Sequence, residues 1–356
     1  MSTRQSNGRD CEADEAARLL EWFERSGRKL PWRTAVRDPY LTLISETMLQ
    51  QTQVQRVVPF FERFVSRFPS FEALASASVD EVLGVWSGLG YYRRARLLHS
   101  LAERVVSEHE GCLPADQAGL KGLPGIGPYT AAAVGSLVYG TAEPVVDGNV
   151  RRVAARRLPI WGDVRTAAAT RQIRAWILAL MGHAPPGCVN EALMEVGARV
   201  CDAKRPLCDA CPLSAQCSAH RDDLVAELPE PRPSSRVERL SWVFACCVTP
   251  EGEWMLRRIT DGPILRGLWL PPFAELRRAD ETTVQQAAAL VPHSVGNGEV
   301  CRSMSHSITF RRIELIPVRF AVMGRELPAA TWQYARPDKL RTGTSSLLPK
   351  LVKSVE

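Results

Sequence analysis

The 356-residue sequence has no apolar run approaching the roughly 20 residues that a membrane-spanning helix requires. Its opening stretch, MSTRQSNGRDCE, lacks the apolar segment of a secretory signal, so residues 1–13 are expected to be a disordered start and the chain to be intracellular, in the cytoplasm or nucleoid. Disulfide-type cysteine spacing is lacking too. Of the ten cysteines, Cys11, Cys112, Cys188, Cys246, Cys247 and Cys301 stand apart and read as ordinary thiols in a reducing compartment. Charge of one sign is not strongly in excess: the net +6 hints at a polyanionic partner without demanding one. The length favours two domains, each able to bury a core.

What is present is helical periodicity. Ala16, Leu19, Leu20, Trp22 and Phe23 recur at helix spacing, and residues 28–40 then break regularity with two prolines while supplying Arg28, Lys29, Arg33 and Arg37. A helix starting near Leu41 carries Glu46 among Ile44, Met48 and Leu49. Desolvation there would raise the carboxyl pKa and make a usable general acid, the alternative being a glutamate on a wet helix face. Val54, Val57, Val58, Phe61, Phe64, Val65 and Phe68 form an apolar stripe that reads as core. Ser78 and Glu81 predict a capping box for a helix turning Val82, Leu83, Val85 and Trp86 inward and stopping at Gly88-Leu89-Gly90. Tyr91-Tyr92-Arg93-Arg94 follows, which suits a stacking wedge beside phosphate contacts or, equally, two packed tyrosines.

The stretch Leu123–Val150 organises the rest. Its LPGIG turn, with Gly125 and Gly127, opens a helix over about Thr130 to Tyr139 and offers N–H groups to an anion such as a DNA phosphate, unless it is a plain helix joint. Asp147-Gly148-Asn149 precedes a helix studded with Arg151, Arg152, Arg156 and Arg157; Asn149 reads as its N-cap and Asp147 as the turn residue before it. A nucleotide held at the first turn would lie near the second. Cys201, Cys208, Cys211 and Cys217, spaced C-x6-C-x2-C-x5-C, imply a metal site, with Lys204 and Arg205 on its loop. A zinc ribbon would show two close pairs, and four thiolates also suit a [4Fe–4S] cluster.

Residues 222–236 are rich in proline and charge and read as a linker. Beyond them the pattern turns to strands: Trp242–Thr249 and Trp254–Arg258 as a hairpin, and Ile313–Met323, where Pro317 argues for an edge strand or a break.

Together these motifs resemble the helix–hairpin–helix DNA glycosylases of the endonuclease III superfamily and, within it, the MutY-type adenine DNA glycosylases. LPWR (Leu30–Arg33), SETMLQQTQV (Ser45–Val54), GLGYYRRAR (Gly88–Arg96), LPGIG with Asp147, NEALMEVGARVC (Asn190–Cys201) and the cysteine box carry the likeness, closely from about Leu19 to Cys217. The resemblance implies a mainly α, two-lobed glycosylase domain over residues 14–221 with an iron–sulfur loop at 201–217. After the linker it implies a smaller α+β, Nudix-like domain over 237–356 that reads 8-oxoguanine. It casts Glu46 as the acid protonating adenine, Asp147 as the anion beside the sugar cation, and Asn149 as the residue positioning Asp147 or water. Gln51 and Tyr91 become wedges, and Arg28, Leu30, Trp32, Arg33, Leu49 and Glu191 line the adenine pocket. Ser305 and His306 fall in the loop that contacts 8-oxoguanine, where Met304 replaces the family's phenylalanine. Bifunctional relatives carry a nucleophilic lysine where this chain has Tyr129, so the resemblance implies a monofunctional enzyme. No G-x5-E-x7-R-E-x2-E-E box occurs, which predicts no pyrophosphatase activity. The expected substrate is duplex DNA with adenine opposite 8-oxoguanine or guanine, bound by a monomer. The rivals are a glycosylase for another base, such as thymine in G·T, and a catalytically silent DNA-binding module.

Overall fold

The computed structural model describes residues 3–231, 237–261, 264–276, 282–291, 296–322, 327, 329–340 and 344–355. Helices α1 (Thr3–Ser26), α2 (Pro39–Leu49), α3 (Val54–Arg67), α4 (Phe71–Ala75), α5 (Val79–Trp86), α6 (Tyr92–Glu108), α7 (Gln117–Gly122), α8 (Pro128–Tyr139), α9 (Gly148–Arg157), α10 (Ala167–Met181), α11 (Pro186–Arg199) and α12 (Ser218–Arg221) come first. Strands β1 (Glu238–Val248), β2 (Trp254–Arg258), β3 (Trp269–Leu270) and β4 (Phe273–Glu275) precede α13 (Thr283–Ala288); β5 (Glu299–Val300), β6 (Met304–Ile308), β7 (Arg311–Ala321) and β8 (Trp332–Ala335) precede α14 (Leu347–Val355). No helix among the described residues is long and apolar enough to cross a membrane.

The chain forms two compact units: Met1–Ala73 with Ser100–Pro233, and Leu74–His99 with Ser234–Glu356. Residues 74–99 thus group with the C-terminal strands. Their ties explain it. The hydroxyls of Ser87 and Tyr92 both donate to the Thr344 carbonyl, Arg96 donates to the Arg266 carbonyl, and Arg258 pairs with Asp80 at 2.6 Å.

In the first unit, Leu19 of α1, Val150 and Val153 of α9, Ile173 and Ile177 of α10, and Leu193 and Val196 of α11 share one buried core. Helix α1 runs from Thr3, and residues 3–13 contain no proline to interrupt it. The α3 stripe packs as expected, with Val57, Phe61 and Phe64 buried. Helix α2 begins at Pro39, two residues earlier than read, because the Asp38 side chain caps the Leu41 N–H at 2.9 Å. Tyr40 and every residue from Thr42 to Met48 are buried, so α2 lies inside the unit against α3 and α8 rather than on its surface. That placement takes Glu46 out of water. The supposed linker is anchored over its first half: Leu228 is buried and its carbonyl accepts from Arg156 at 2.8 Å, while 232–236 lie outside the described residues.

In the second unit the sheet runs β3-β2-β1-β7-β5, with β4 on β1, β6 on β7 and β8 on β2. The β1–β2 hairpin forms with Val248 opposite Trp254, and the capping box at Ser78 and Glu81 starts α5. Pro317 does not mark an edge. Strand β7 is central, parallel to β1, and Pro317 sits between the residues paired to β6 and those paired to β5. The missing N–H therefore falls where the ladder is already interrupted, while its carbonyl still accepts from Cys301 at 2.9 Å. Met323, the last residue of the expected strand, lies outside the described residues.

Leu193→Ala, at a fully buried position, should destabilise the first unit by about 2–5 kcal/mol. Val36→Ala, at a position 86% exposed, should stay within about 0.5 kcal/mol. Chemical denaturation of the two variants checks the contrast.

Candidate active site

The site is built where α2, α8, α9 and α11 meet the loop of residues 28–38. Gly125 holds φ 79°, in the left-handed region that favours glycine, and so bends the chain into α8. Gly127 does not need that freedom: its φ is −90°, and an added Cβ would meet nothing within 4 Å. As N-cap of α8 it supplies no side-chain acceptor for the first-turn N–H groups. Pro128 presets the first turn, and the next residue, Tyr129, points its hydroxyl at α2.

That hydroxyl donates to Glu46 Oε2 at 3.0 Å and also approaches Met194 Sδ at 3.6 Å. Burial pushes the Glu46 carboxyl up to about 7; the charges of Glu191 and Asp147 push the same way, against the Tyr129 bond and the charge of Arg33. Glu46 is therefore a buried carboxyl and not one on a wet helix face. Burial, with the Glu46 and Asp147 charges, also drives the Tyr129 phenol well above its ordinary range, so it stays a proton donor.

Asp147, not Asn149, caps α9: its Oδ1 accepts from Val150 N at 2.7 Å. Either residue type makes a good cap, and backbone geometry chose the one whose carboxylate faces the helix N-terminus. Asn149 lies in the first turn, donates to Asp147 Oδ2 at 3.3 Å, and accepts from Arg152 at 2.9 Å. Arg152 continues to the carbonyls of Gly197 and Cys201, at 2.7 and 2.8 Å. Burial raises the Asp147 pKa, while the bonds from Val150 and Asn149 and the charge of Arg152 oppose that rise and favour the anion. The other arginines of α9 also turn to protein: Arg151 to the Val164 carbonyl, Arg156 to the Asp202 carbonyl and Arg157 to Glu15.

The pocket candidates gather as an ion-pair lattice. Arg33 meets Glu191 at 3.1 Å, Arg37 also pairs with Glu191, and Trp32 packs edge-on against Phe61 at 5.1 Å. Leu30 and Leu49 are half-buried. One member escaped the sequence reading: Glu195, which binds Arg28 and Arg33. Arg37, read only as one of the loop's basic residues, anchors to the Trp32 carbonyl at 3.0 Å. The spacing of Glu191 and Glu195, one helical turn apart on α11, was the available signal.

Gln51, exposed at the end of α2, holds φ 57°. In the second unit Tyr91 is exposed with φ 51°, its ring 5.2 Å from the Arg94 guanidinium, whereas Tyr92 is buried. Non-glycine residues held in that region store strain of a kind concentrated at functional sites. Ser305 and His306 do not share a face: on β6, Ser305 is exposed opposite Glu314, while His306, opposite Ile313, is half-buried and 3.1 Å from Lys350. Burial and the Lys350 charge lower the His306 pKa.

The four box cysteines ride on two 3-10 turns, Cys208–Ala210 and Ser214–Gln216, and the segments beside them. Among the described residues no group of three or more His, Cys, Asp and Glu converges as a site for a single metal ion. The thiols still feel one another: burial first, then neighbouring box cysteines, raise Cys208 and Cys217 and, against a backbone hydrogen bond, push Cys211 up to about 12. Arg156 donates to Cys201 Sγ at 3.3 Å.

Residues 44–177 match the HhH-GPD superfamily of base excision DNA repair proteins. The chain is similar to the adenine DNA glycosylase of Buchnera aphidicola subsp. Acyrthosiphon pisum, 32% identical over 256 residues that cover 71% of this chain and 72% of that protein. It is 42% identical over 213 residues to the adenine DNA glycosylase of Rattus norvegicus, covering 57% of this chain but only 41% of the rat protein's length. Among solved structures, a thermostable thymine-DNA glycosylase superposes with a TM-score of 0.53 at 27% identity, covering 61% of this chain and 99% of that one.

Glu46→Gln should raise stability in a pH-dependent way. The fold favours the neutral carboxyl, so that contribution is fully present below the ordinary value of 4.5 and is lost as the pH climbs to about 7. The amide, which cannot ionise, should therefore be more stable than wild type by about 3 kcal/mol at pH 8 and nearly equal to it at pH 4.5. Unfolding measured across that range checks the sign.

Proposed function

The chain belongs to the adenine DNA glycosylase family, and from that premise we propose that it hydrolyses the N-glycosidic bond of adenine opposite 8-oxoguanine or guanine in duplex DNA. The observation that carries the reading is the pairing of a neutral buried acid with a capped carboxylate. Glu46, up to about 7 and held by Tyr129, keeps its proton near neutral pH; burial raises Asp147, against bonds from Val150 and Asn149 and the charge of Arg152 that favour its anion. Cleaving a glycosidic bond needs both: a proton for the departing group and a negative charge beside the oxocarbenium-like sugar.

In the proposed step the adenine is flipped out of the duplex into the pocket. Glu46 gives its proton to a ring nitrogen, the bond from sugar to base breaks, and its electron pair leaves with the base. The Asp147 carboxylate stabilises the sugar cation, or adds to it, until water completes an abasic site. Asn149, bonded to Asp147, fixes the carboxylate. Tyr129 holds Glu46 and offers no amine, so no Schiff base forms and the strand stays intact. Arg28, Leu30, Trp32, Arg33, Leu49 and Glu191 enclose the base, Gln51 and Tyr91 fill the gap in the stack, and the backbone at Gly125 and Gly127 takes a phosphate. The residues after 237 act as a Nudix-like reader of 8-oxoguanine, Ser305 and His306 being its contact candidates.

Cys201, Cys208, Cys211 and Cys217 would hold a [4Fe–4S] cluster. The all-thiolate donor set fits one, and so do their mutual electrostatic influence and the Arg156 donor at Cys201. Because burial favours the neutral thiols, their deprotonation is coupled to metal binding. The cluster would supply a rigid, charge-bearing loop that carries Lys204 and Arg205 to the DNA backbone. The working protein is proposed as an intracellular monomer acting on the nucleoid.

Duplexes with A opposite 8-oxoguanine, A·G, G·T and A·T test the reading, each product split between alkali and no treatment. Adenine-strand breaks only after alkali are expected; breaks without alkali would overturn the monofunctional assignment, and thymine release from G·T alone would overturn the substrate. Asp147→Asn should abolish excision, and Glu46→Gln should slow it by roughly 10²–10⁴-fold. Wild-type rate should fall as the pH rises through about 7, where Glu46 loses its proton. Cys211→Ser should lose iron and visible absorption relative to wild type.

A further inference from the structure

The carboxylate with the most extensive bonding to the lattice is Glu195, which the mechanism above does not use. Its side chain is 1% exposed. Both oxygens are filled: Oε1 accepts from the Arg28 backbone N–H at 3.1 Å and from Arg28 Nε at 2.6 Å, while Oε2 accepts from Arg28 Nη2 at 2.9 Å and Arg33 Nη2 at 3.0 Å. Burial alone would raise this carboxyl, but the Arg28 bonds and the charges of both arginines hold it below its ordinary range. Arg33 is in turn fixed on three further sides, by Glu191 Oε1 at 3.1 Å, by the Arg28 carbonyl at 3.0 Å, and by the Phe23 ring 5.0 Å beneath its guanidinium.

Tyr129 from α8 reaches Glu46 through a hydrogen bond, and the groups whose charge reaches it are Asp147 at the start of α9, Glu191 from α11 and Arg33 from the loop. Among these Arg33 is the cation, and it favours the ionised form of the acid. We propose that Glu195 is a positioning residue for proton donation: it clamps Arg28 and Arg33 together and neutralises Arg33, so that the acid keeps its proton at working pH. The inference rests on Glu46 being the acid. It extends that reading to a residue one helical turn beyond the pocket glutamate. When Glu195 becomes neutral, Arg33 loses a counter-charge and keeps a weaker bond at that position, so its charge acts on Glu46 with less opposition.

The test uses the full-length protein and its Glu195→Gln variant. Single-turnover adenine excision is followed against pH, and the Glu46 ionisation is measured separately from the pH dependence of unfolding of each protein relative to its Glu46→Gln counterpart. Both midpoints should move to lower pH in E195Q, by on the order of half a unit to one unit. The shift should vanish when Arg33→Met is present as well. Unmoved midpoints, even with a lower rate or melting temperature, would reduce Glu195 to a structural brace and overturn the proposal, as would a shift that survives Arg33→Met. Should E195Q not fold, Arg28→Gln combined with E195Q removes the ion pair from both sides and carries the same comparison. If wild type excises no adenine, the functional reading fails on its own, and the unfolding midpoints still decide whether Glu195 controls Glu46.

Discussion

A carboxyl in a helix that has almost no wet face is the constraint on which the active region depends. From Thr42 to Met48 every residue of α2 is buried, so Glu46 cannot ionise as it would at a surface. The fold leaves the acid neutral to near pH 7 and gives it one hydrogen bond, from Tyr129. Ionic compensation is placed one layer away, where Arg28, Arg33 and Arg37 answer Glu191 and Glu195. Direct pairing of a cation with Glu46 would have stabilised the wrong protonation state for a donor. Pairing Arg33 with Glu191 and Glu195, and not with Glu46, suits an acid that is to keep its proton.

Two helix N-termini divide the remaining electrostatic work. At α9 the donors are satisfied within the chain, because Asp147 caps them, and the same contact steadies its anion. At α8 the cap is glycine, which has no side chain to accept from the donors. One terminus therefore stabilises a carboxylate of the protein and the other suits a phosphate of a ligand. Close packing makes the first arrangement exact in position: an added Cβ at Gly197 would lie 2.6 Å from Asn149 Cβ, so α9 and α11 approach as nearly as they do only because residue 197 has no side chain.

The arginines show how far composition can mislead. A run such as Arg151, Arg152, Arg156 and Arg157 looks like a surface for nucleic acid, yet these side chains end on carbonyls, on Glu15 and on a cysteine sulfur. Their donors satisfy backbone that would otherwise be buried without partners. Gln51 and Tyr91, by contrast, are exposed and hold a left-handed backbone.

Local chemistry was legible in the sequence wherever neighbours along the chain decide the outcome. The acid among Ile44, Met48 and Leu49, the glycine turn before α8, the capping box at Ser78, the apolar stripe of α3 and the β1–β2 hairpin all follow from periodicity and cap rules. Choices between comparable local options were not legible. Asp147 and Asn149 are equally good caps, and only the packing of α9 against α11 selects the first. Pro317 looks like an edge residue until the gap between β5 and β6 is seen to absorb its missing N–H. The segment 74–99 is helical by pattern, and its membership is set by bonds to residues such as Thr344, more than 200 positions away. Glu195 illustrates the general reason. The sequence by itself determined that a glycine turn, a capping box and a cysteine box exist, because those depend on adjacent residues; that the acid is buried, and which charges surround it, was decided only when distant segments such as α11 and the loop at 28–38, over 150 residues apart, folded together.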